Sequence, residues 1–148
     1  MVIKMTKKYW DGENWLVVDK IDDIIQYYFN GEIHRKDGPA DIWYYDNGDI
    51  KSEKYWYNGV CHKEDGPAEI WYYKNRSIKS EKYWYNGKKH RENGPAVVIY
   101  YMDGSIKDKE YWFNNIKFDL EKMPFEMPID TEEKEFMFNL IYGDINDN

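Results

Sequence analysis

Along most of the chain, apolar and polar positions alternate in short runs broken by Asn-Gly or Asp-Gly pairs. In the run Ala68-Glu69-Ile70-Trp71-Tyr72-Tyr73, a strand places Ala68, Ile70 and Tyr72 on one face and Glu69, Trp71 and Tyr73 on the other. In the run from Ile78 to Tyr85, Ile78, Ser80, Lys82 and Trp84 oppose Lys79, Glu81, Tyr83 and Tyr85. Trp, Tyr and Ile dominate these runs, which predicts strands. A glycine about every ten residues argues against helices there. Both faces mix aromatics with charges, whereas a sandwich presents one clean apolar face. The pattern therefore predicts a thin, curved all-β sheet in which rows of Tyr and Trp stack, their bodies covered and their polar tips wet.

The runs recur. Asp37-Gly38-Pro39-Ala40 returns as Asp65-Gly66-Pro67-Ala68 and as Asn93-Gly94-Pro95-Ala96, each time after 28 residues. Tyr55-Trp56-Tyr57-Asn58-Gly59 returns as Tyr83-Trp84-Tyr85-Asn86-Gly87 and as Tyr111-Trp112-Phe113-Asn114-Asn115, with Tyr27-Tyr28-Phe29-Asn30-Gly31 as an earlier, looser copy. Three units thus occupy 27–115. Each holds three turn signals, of which the Asn-Gly and Asp-Gly pairs supply the positive φ of type I′ hairpins. Three full reversals would flip every second unit, so one signal must be a bend. Pro belongs at a bulge or an edge, which selects Asp-Gly-Pro-Ala. Two strands per unit remain, and antiparallel pairing strings them into an elongated, twisted meander of 28-residue hairpins.

The ends depart from this rhythm. Residues 1–26 predict a strand or hairpin cap around Tyr9 to Val18. Residues 116–148 carry nine acids against three bases, while 27–115 carry 14 of each. A helix is predicted over about 131–142. Asp130 is its N-cap, Glu133 holds the capping-box position, and Phe136, Met137, Leu140 and Ile141 share one face. Such a helix would cover the last repeat or dock a partner.

Composition narrows the class. Of 148 residues, 19% are aromatic, more than a disordered chain carries. No apolar run is long enough for a membrane-spanning helix. One cysteine excludes an internal disulfide framework and a Cys-rich zinc site. Met1 to Lys8 show no secretory apolar stretch, so the expectation is a cytoplasmic protein.

The string Tyr44-Tyr45-Asp46-Asn47-Gly48-Asp49-Ile50-Lys51-Ser52-Glu53, followed by Tyr57-Asn58-Gly59 and Gly66-Pro67, resembles the variant MORN repeat of YwqK-like antitoxin proteins. The resemblance covers about 27–115, with extra residues such as His62-Lys63-Glu64-Asp65 in each unit. The longer unit, with its His-Arg-x-Asp-Gly-Pro-Ala string from His34 to Ala40, resembles repeat proteins of large DNA viruses. The resemblance implies a scaffold or toxin-neutralising role and a tendency to dimerise. If the chain is viral, it implies the host cytoplasm or the virion. It supplies no catalytic residues.

Candidate chemistry follows the repeat. His34, His62 and His90 recur once per unit. Equivalent positions two strands apart lie about 10 Å from one another, whereas zinc ligands lie about 2 Å from one ion. Each is therefore expected to fix its own bend, through Asp37, Asp65 or the Asn93 amide, together with Gly38, Pro39, Gly66, Pro67, Gly94 and Pro95. Cys61 aligns with Ile33 and Lys89, so an inert thiol is expected. Pairs such as Glu53 with Asp49, or Glu81 with Glu69, have the composition of a glycosidase dyad, but their recurrence points to cross-strand pairing with Lys or Arg. No catalytic residue, metal or cofactor is assigned. Lys51, Lys79 and Lys107 are expected beside Tyr55, Tyr83 and Tyr111. The neutral core and acidic tail nonetheless argue against nucleic acid and anionic membranes. The sequence therefore predicts a non-enzymatic protein-interaction scaffold whose contact strip is Trp43, Tyr45, Trp71, Tyr73, Ile99 and Tyr101. A carbohydrate-binding aromatic module is the alternative.

Overall fold

The structure is a computed structural model that describes residues 4–10 and 15–118. Fifteen strands make it all-β among these residues. They are β1 (Lys4–Trp10), β2 (Trp15–Ile21), β3 (Ile24–Phe29), β4 (Glu32–Ile33), β5 (Asp41–Tyr44), β6 (Ile50–Lys54), β7 (Trp56–Tyr57) and β8 (Val60–Cys61). Then follow β9 (Glu69–Tyr72), β10 (Ile78–Lys82), β11 (Trp84–Tyr85), β12 (Lys88–Lys89), β13 (Val97–Tyr100), β14 (Ile106–Phe113) and β15 (Ile116–Phe118). One antiparallel sheet runs β1-β2-β3-β5-β6-β9-β10-β13-β14-β15, with β4 on the end of β3. Two small ladders, β7-β8 and β11-β12, flank it. The hairpin expected near Tyr9 to Val18 is β1-β2, and the predicted helix over 131–142 lies outside the described residues.

Two turn chemistries divide the reversals. At Asn30-Gly31, Asn58-Gly59, Asn86-Gly87 and Asn114-Asn115 both residues have positive φ, the type I′ signature. Asn47-Gly48 differs from the expectation. There only Gly48 has positive φ, and Asn47 instead accepts the Asp49 amide with its side-chain oxygen. Asn75 and Asp103 do the same for Ser77 and Ser105. Arg76 occupies the left-handed position that Gly48 and Gly104 fill elsewhere. Its guanidinium reaches back 2.7 Å to Asp49.

The Asp-Gly-Pro-Ala segment is a bend. Strand β8 pairs antiparallel with β7, and β9 pairs antiparallel with β6, so the chain continues in one direction across 62–68. Tyr55 is the pivot. Its carbonyl accepts the His62 amide and its amide donates to the Ala68 carbonyl, so residues 63–67 loop out opposite one residue. Tyr27 and Tyr83 repeat the arrangement with His34 and Ala40, and with His90 and Ala96. A cation closes each loop from above: Arg35 lies 4.1 Å from the Tyr27 ring centre, Lys63 3.9 Å from Tyr55, and Arg91 3.8 Å from Tyr83. Gly38, at φ 150°, leaves room for this, because a Cβ there would stand 3.1 Å from Cζ of Arg35.

Among the described residues the buried apolar set is small: Ala40, Ile42, Cys61, Ala68, Ala96, Val97 and Val98. Hydrogen bonds between neighbouring strands supply much of the remaining cohesion. Tyr72 and Tyr100 donate their hydroxyls to Glu53 and Glu81. Tyr45 and Tyr73 donate theirs to the carbonyls of Tyr72 and Tyr100, 27 residues on.

Candidate functional site

Each hairpin formed by β5 and β6, β9 and β10, or β13 and β14 contains a β-bulge. Trp43 faces Ser52 and Tyr44 faces Ile50, so Lys51 is the extra residue. Lys79 and Lys107 are the extra residues of the next two hairpins. A bulge re-aims its side chain and breaks strict alternation. The sequence places Lys79 opposite Ser80. In the structure Lys79 instead turns to the face of Trp71 and Tyr73, with its ammonium 5.7 Å from the Tyr73 ring centre. Lys51 lies 5.9 Å from both Trp43 and Tyr45, and Lys107 lies 5.7 Å from Tyr101. The lysine row therefore runs beside Tyr45, Tyr73 and Tyr101, and the expected neighbours Tyr55, Tyr83 and Tyr111 are corrected.

These positions bring the predicted contact residues onto one side. Trp43 and Tyr101 are exposed, and Tyr45, Trp71, Tyr73 and Ile99 are half-buried. The Trp43 and Trp71 rings stand 6.4 Å apart. Their indole nitrogens turn inward, donating to Asp41 at 3.0 Å and to Glu69 at 2.6 Å. Asp41 and Glu69 are buried beneath the strip. Lys82 at 2.8 Å and Lys54 at 3.7 Å flank Glu69 on the adjoining strands. In the third unit Val97 replaces Glu69, and Ile99 replaces Trp71. The acceptor and the donor disappear together.

The histidines bond differently from the expectation. Nδ1 of His34, His62 and His90 accepts the backbone amide of Asn58, Asn86 and Asn114, the turn residue of the following unit, at 2.9, 3.2 and 3.4 Å. No bond to Asp37, Asp65 or Asn93 forms. Each imidazole, which directly follows β4, β8 or β12, reaches the next turn because those short strands lie beside it. The Ile33, Cys61 and Lys89 carbonyls accept amides from Gly59, Gly87 and Asn115 there. Removing one such link by His62→Ala should cost about 1–2 kcal/mol, one hydrogen bond plus the edge contact with Tyr85. Urea unfolding followed by circular dichroism reads that loss. For His90, burial lowers the pKa and so favours the neutral acceptor form.

Two clefts lie between successive looped-out bends. One, of about 490 Å³, is lined by Lys63, Asp65, Tyr83, His90, Arg91 and Glu92. The other, of about 530 Å³, is lined by Arg35, Lys36, Tyr55, His62, Lys63 and Asp65. Arg35, Lys63 and Arg91 are already stacked on tyrosines, and no cluster of metal-ligating side chains occurs among the described residues.

The remaining candidates have structural partners. Cys61 is buried, and burial, then the nearby Glu69 charge, push its thiol up to about 12, so it stays protonated near neutral pH. Glu81 and Glu69 do not form a dyad. Glu81 lies opposite Ile70, on the face of Tyr100, while Glu69 faces Lys82. Glu53 accepts from Tyr72 and Asp49 pairs with Arg76, so the pairing of Glu53 and Glu81 is with tyrosine hydroxyls and not with Lys or Arg. Burial, then the bond to Glu81, raise Tyr100 to about 12.

No family model, curated protein or solved structure matches this chain. Among the described residues no helix is long and apolar enough to cross a membrane.

Proposed function

We propose that the chain is a non-enzymatic interaction module, a tandem array of 28-residue β-hairpin units of the variant MORN kind, that presents the strip Trp43, Tyr45, Trp71, Tyr73, Ile99 and Tyr101 to a protein partner. One observation carries this reading. The same side of successive hairpins displays aromatic rings whose polar tips are tied inward or to the neighbouring strand. Aromatic side chains held in one arrangement lose little entropy on contact and are enriched at protein interfaces. The array reading draws support from the His, Tyr and Ala contacts, which return with the sequence period.

The test is affinity capture from the native cells, with mass spectrometry, using the whole chain beside a Trp43→Phe/Tyr101→Ser variant. Both residues are exposed, and Asp41, which loses the Trp43 donor, keeps the Gln26 amide, so the variant should keep its fold, which circular dichroism verifies. Truncating Trp71 is avoided because Glu69 would lose its donor. A partner enriched by the native chain and lost with the variant is the expected result. Equal enrichment by both overturns the strip as the contact surface.

A further inference from the structure

The lysines of the strip are the side chains there without an internal charge partner. Glu69 engages Lys54 and Lys82, Glu110 engages Lys117, and Asp49 engages Arg76. Among the described residues no carboxylate lies within ion-pair distance of Lys51, Lys79 or Lys107. The chain has a net charge of -7, so a cationic row on it is not a consequence of general basicity. The three lysines stand on β6, β10 and β14, each two strands from the next. At about 4.8 Å per strand, that is one ammonium of this row every ~9.6 Å, and Lys74 adds a further ammonium 5.8 Å from the Tyr45 ring centre.

This spacing selects a ligand. A polyproline II peptide advances about 3.1 Å per residue, so every third side chain recurs on one side after about 9.3 Å. The mismatch, a few tenths of an ångström per step, is within the reach of a lysine side chain. Phosphates along a stacked nucleic-acid strand come about every 3.4 Å, so every third recurs after about 10.2 Å; the mismatch per step is about twice that of the peptide, and the two phosphates between would lack a cation of the row. A glycan needs donors and acceptors for its hydroxyls. Here the Trp43 and Trp71 nitrogens and the Tyr45 and Tyr73 hydroxyls are already used. The surface that remains is aromatic rings and ammonium groups, suited to proline rings and carboxylates.

We infer that the strip binds an extended, proline-bearing acidic peptide segment with a carboxylate at each third residue, seated on Lys51, Lys79 and Lys107. The inference rests on the reading of this face as protein-binding. Asp108 adds a carboxylate where the first two hairpins have Ser52 and Ser80, and so weakens the third position.

Fluorescence polarisation on the whole chain tests it with fluorescein-labelled (Glu-Pro-Pro)3 and a peptide of the same composition whose three Glu are contiguous. The spaced peptide should bind about tenfold more tightly, a difference of about 1.4 kcal/mol. Its binding should weaken with added salt. The triple variant Lys51→Gln/Lys79→Gln/Lys107→Gln should abolish the difference, whereas Lys7→Gln/Lys20→Gln/Lys88→Gln should not. Asp108→Ser should tighten binding a few-fold (roughly the effect of one exposed charge). Equal affinity for both peptides, or an indifferent Lys51/Lys79/Lys107 variant, overturns the inference. A captured partner that the spaced peptide fails to displace also overturns it, yet leaves the protein-binding reading standing. Displacement of the peptide by an acidic oligosaccharide or by oligothymidylate overturns both.

Discussion

Replacing Ala68 by leucine should destabilise the protein by about 3 kcal/mol, the upper part of the usual range for overpacking. The side chain at Ala68 has 0% exposure, as have Ala40 and Ala96. Its backbone has no freedom to retreat. The Ala68 carbonyl accepts the Tyr55 amide at 2.8 Å and its amide donates to the Lys82 carbonyl at 3.0 Å, so it is pinned to strands on both sides. It is also the point at which the looped-out residues 63–67 rejoin the sheet. A larger side chain must push one of the two flanking strands away or reopen the loop. Either movement breaks the pivot at Tyr55, where Lys63 is stacked. Urea unfolding monitored by tryptophan fluorescence measures the loss, with Val60→Leu at the exposed position of β8 as the neutral control. A midpoint for Ala68→Leu that coincides with the control would show that the bend yields, and would remove Ala68 as a packing determinant.

The same bend shows how much of the fold was legible. Asp-Gly-Pro-Ala reads as a bend because proline removes a ladder donor and because an odd number of reversals would invert alternate units. Both arguments are local or topological. Asn58-Gly59 reads as a type I′ turn because few other residues tolerate two positive φ values in succession. Arg76 defeats that logic, since an ion pair to Asp49 accompanies a left-handed backbone that composition would assign to glycine or asparagine.

The bulges at Lys51, Lys79 and Lys107 were not legible, because counting alternate positions presumes that every residue occupies one rung. One inserted residue moved the lysines from one row of tyrosines to another. That Trp43, Tyr45, Trp71 and Tyr73 share one side was legible, since they lie on the strand opposite each insertion. The histidine bonds were beyond reach for a different reason. Their partners are 24 residues away in the next turn, and a backbone amide leaves no trace in composition. The tryptophan partners, by contrast, are local. Trp112 donates to Glu110, two residues before it, whereas Trp56 and Trp84 follow Lys54 and Lys82. With no acceptor at that position, both indole nitrogens are buried without a partner.

Glu69→Ala should cost about 2–3 kcal/mol and flatten the acid limb of the stability curve. The carboxylate is buried, with 7% of its side chain exposed, and satisfies the Trp71 indole and the Lys54 and Lys82 ammonium groups. Breaking a fully buried pair costs about 3–5 kcal/mol. The two ammonium groups here are 30% and 31% exposed, so water recovers part of that. Burial alone would raise the Glu69 pKa. The bonds from Lys82 and Trp71 and the Lys54 charge outweigh it, and the net shift is downward. A depressed folded pKa means that the unfolded chain binds the proton first as pH falls. The stabilisation is therefore complete above the ordinary glutamate value of about 4.3 and disappears as pH falls through the lower folded value. Asp19 and Glu110 are shifted in the same direction, so the informative quantity is the difference between native and Glu69→Ala curves. That difference should be full at pH 6 and shrink below about pH 4. Glu69→Val/Trp71→Ile, which copies Val97 and Ile99, should cost less than the sum of its single changes, because acceptor and donor leave together. Strict additivity, or a difference that does not shrink in acid, would mean that Glu69 acts through its volume and not through its charge.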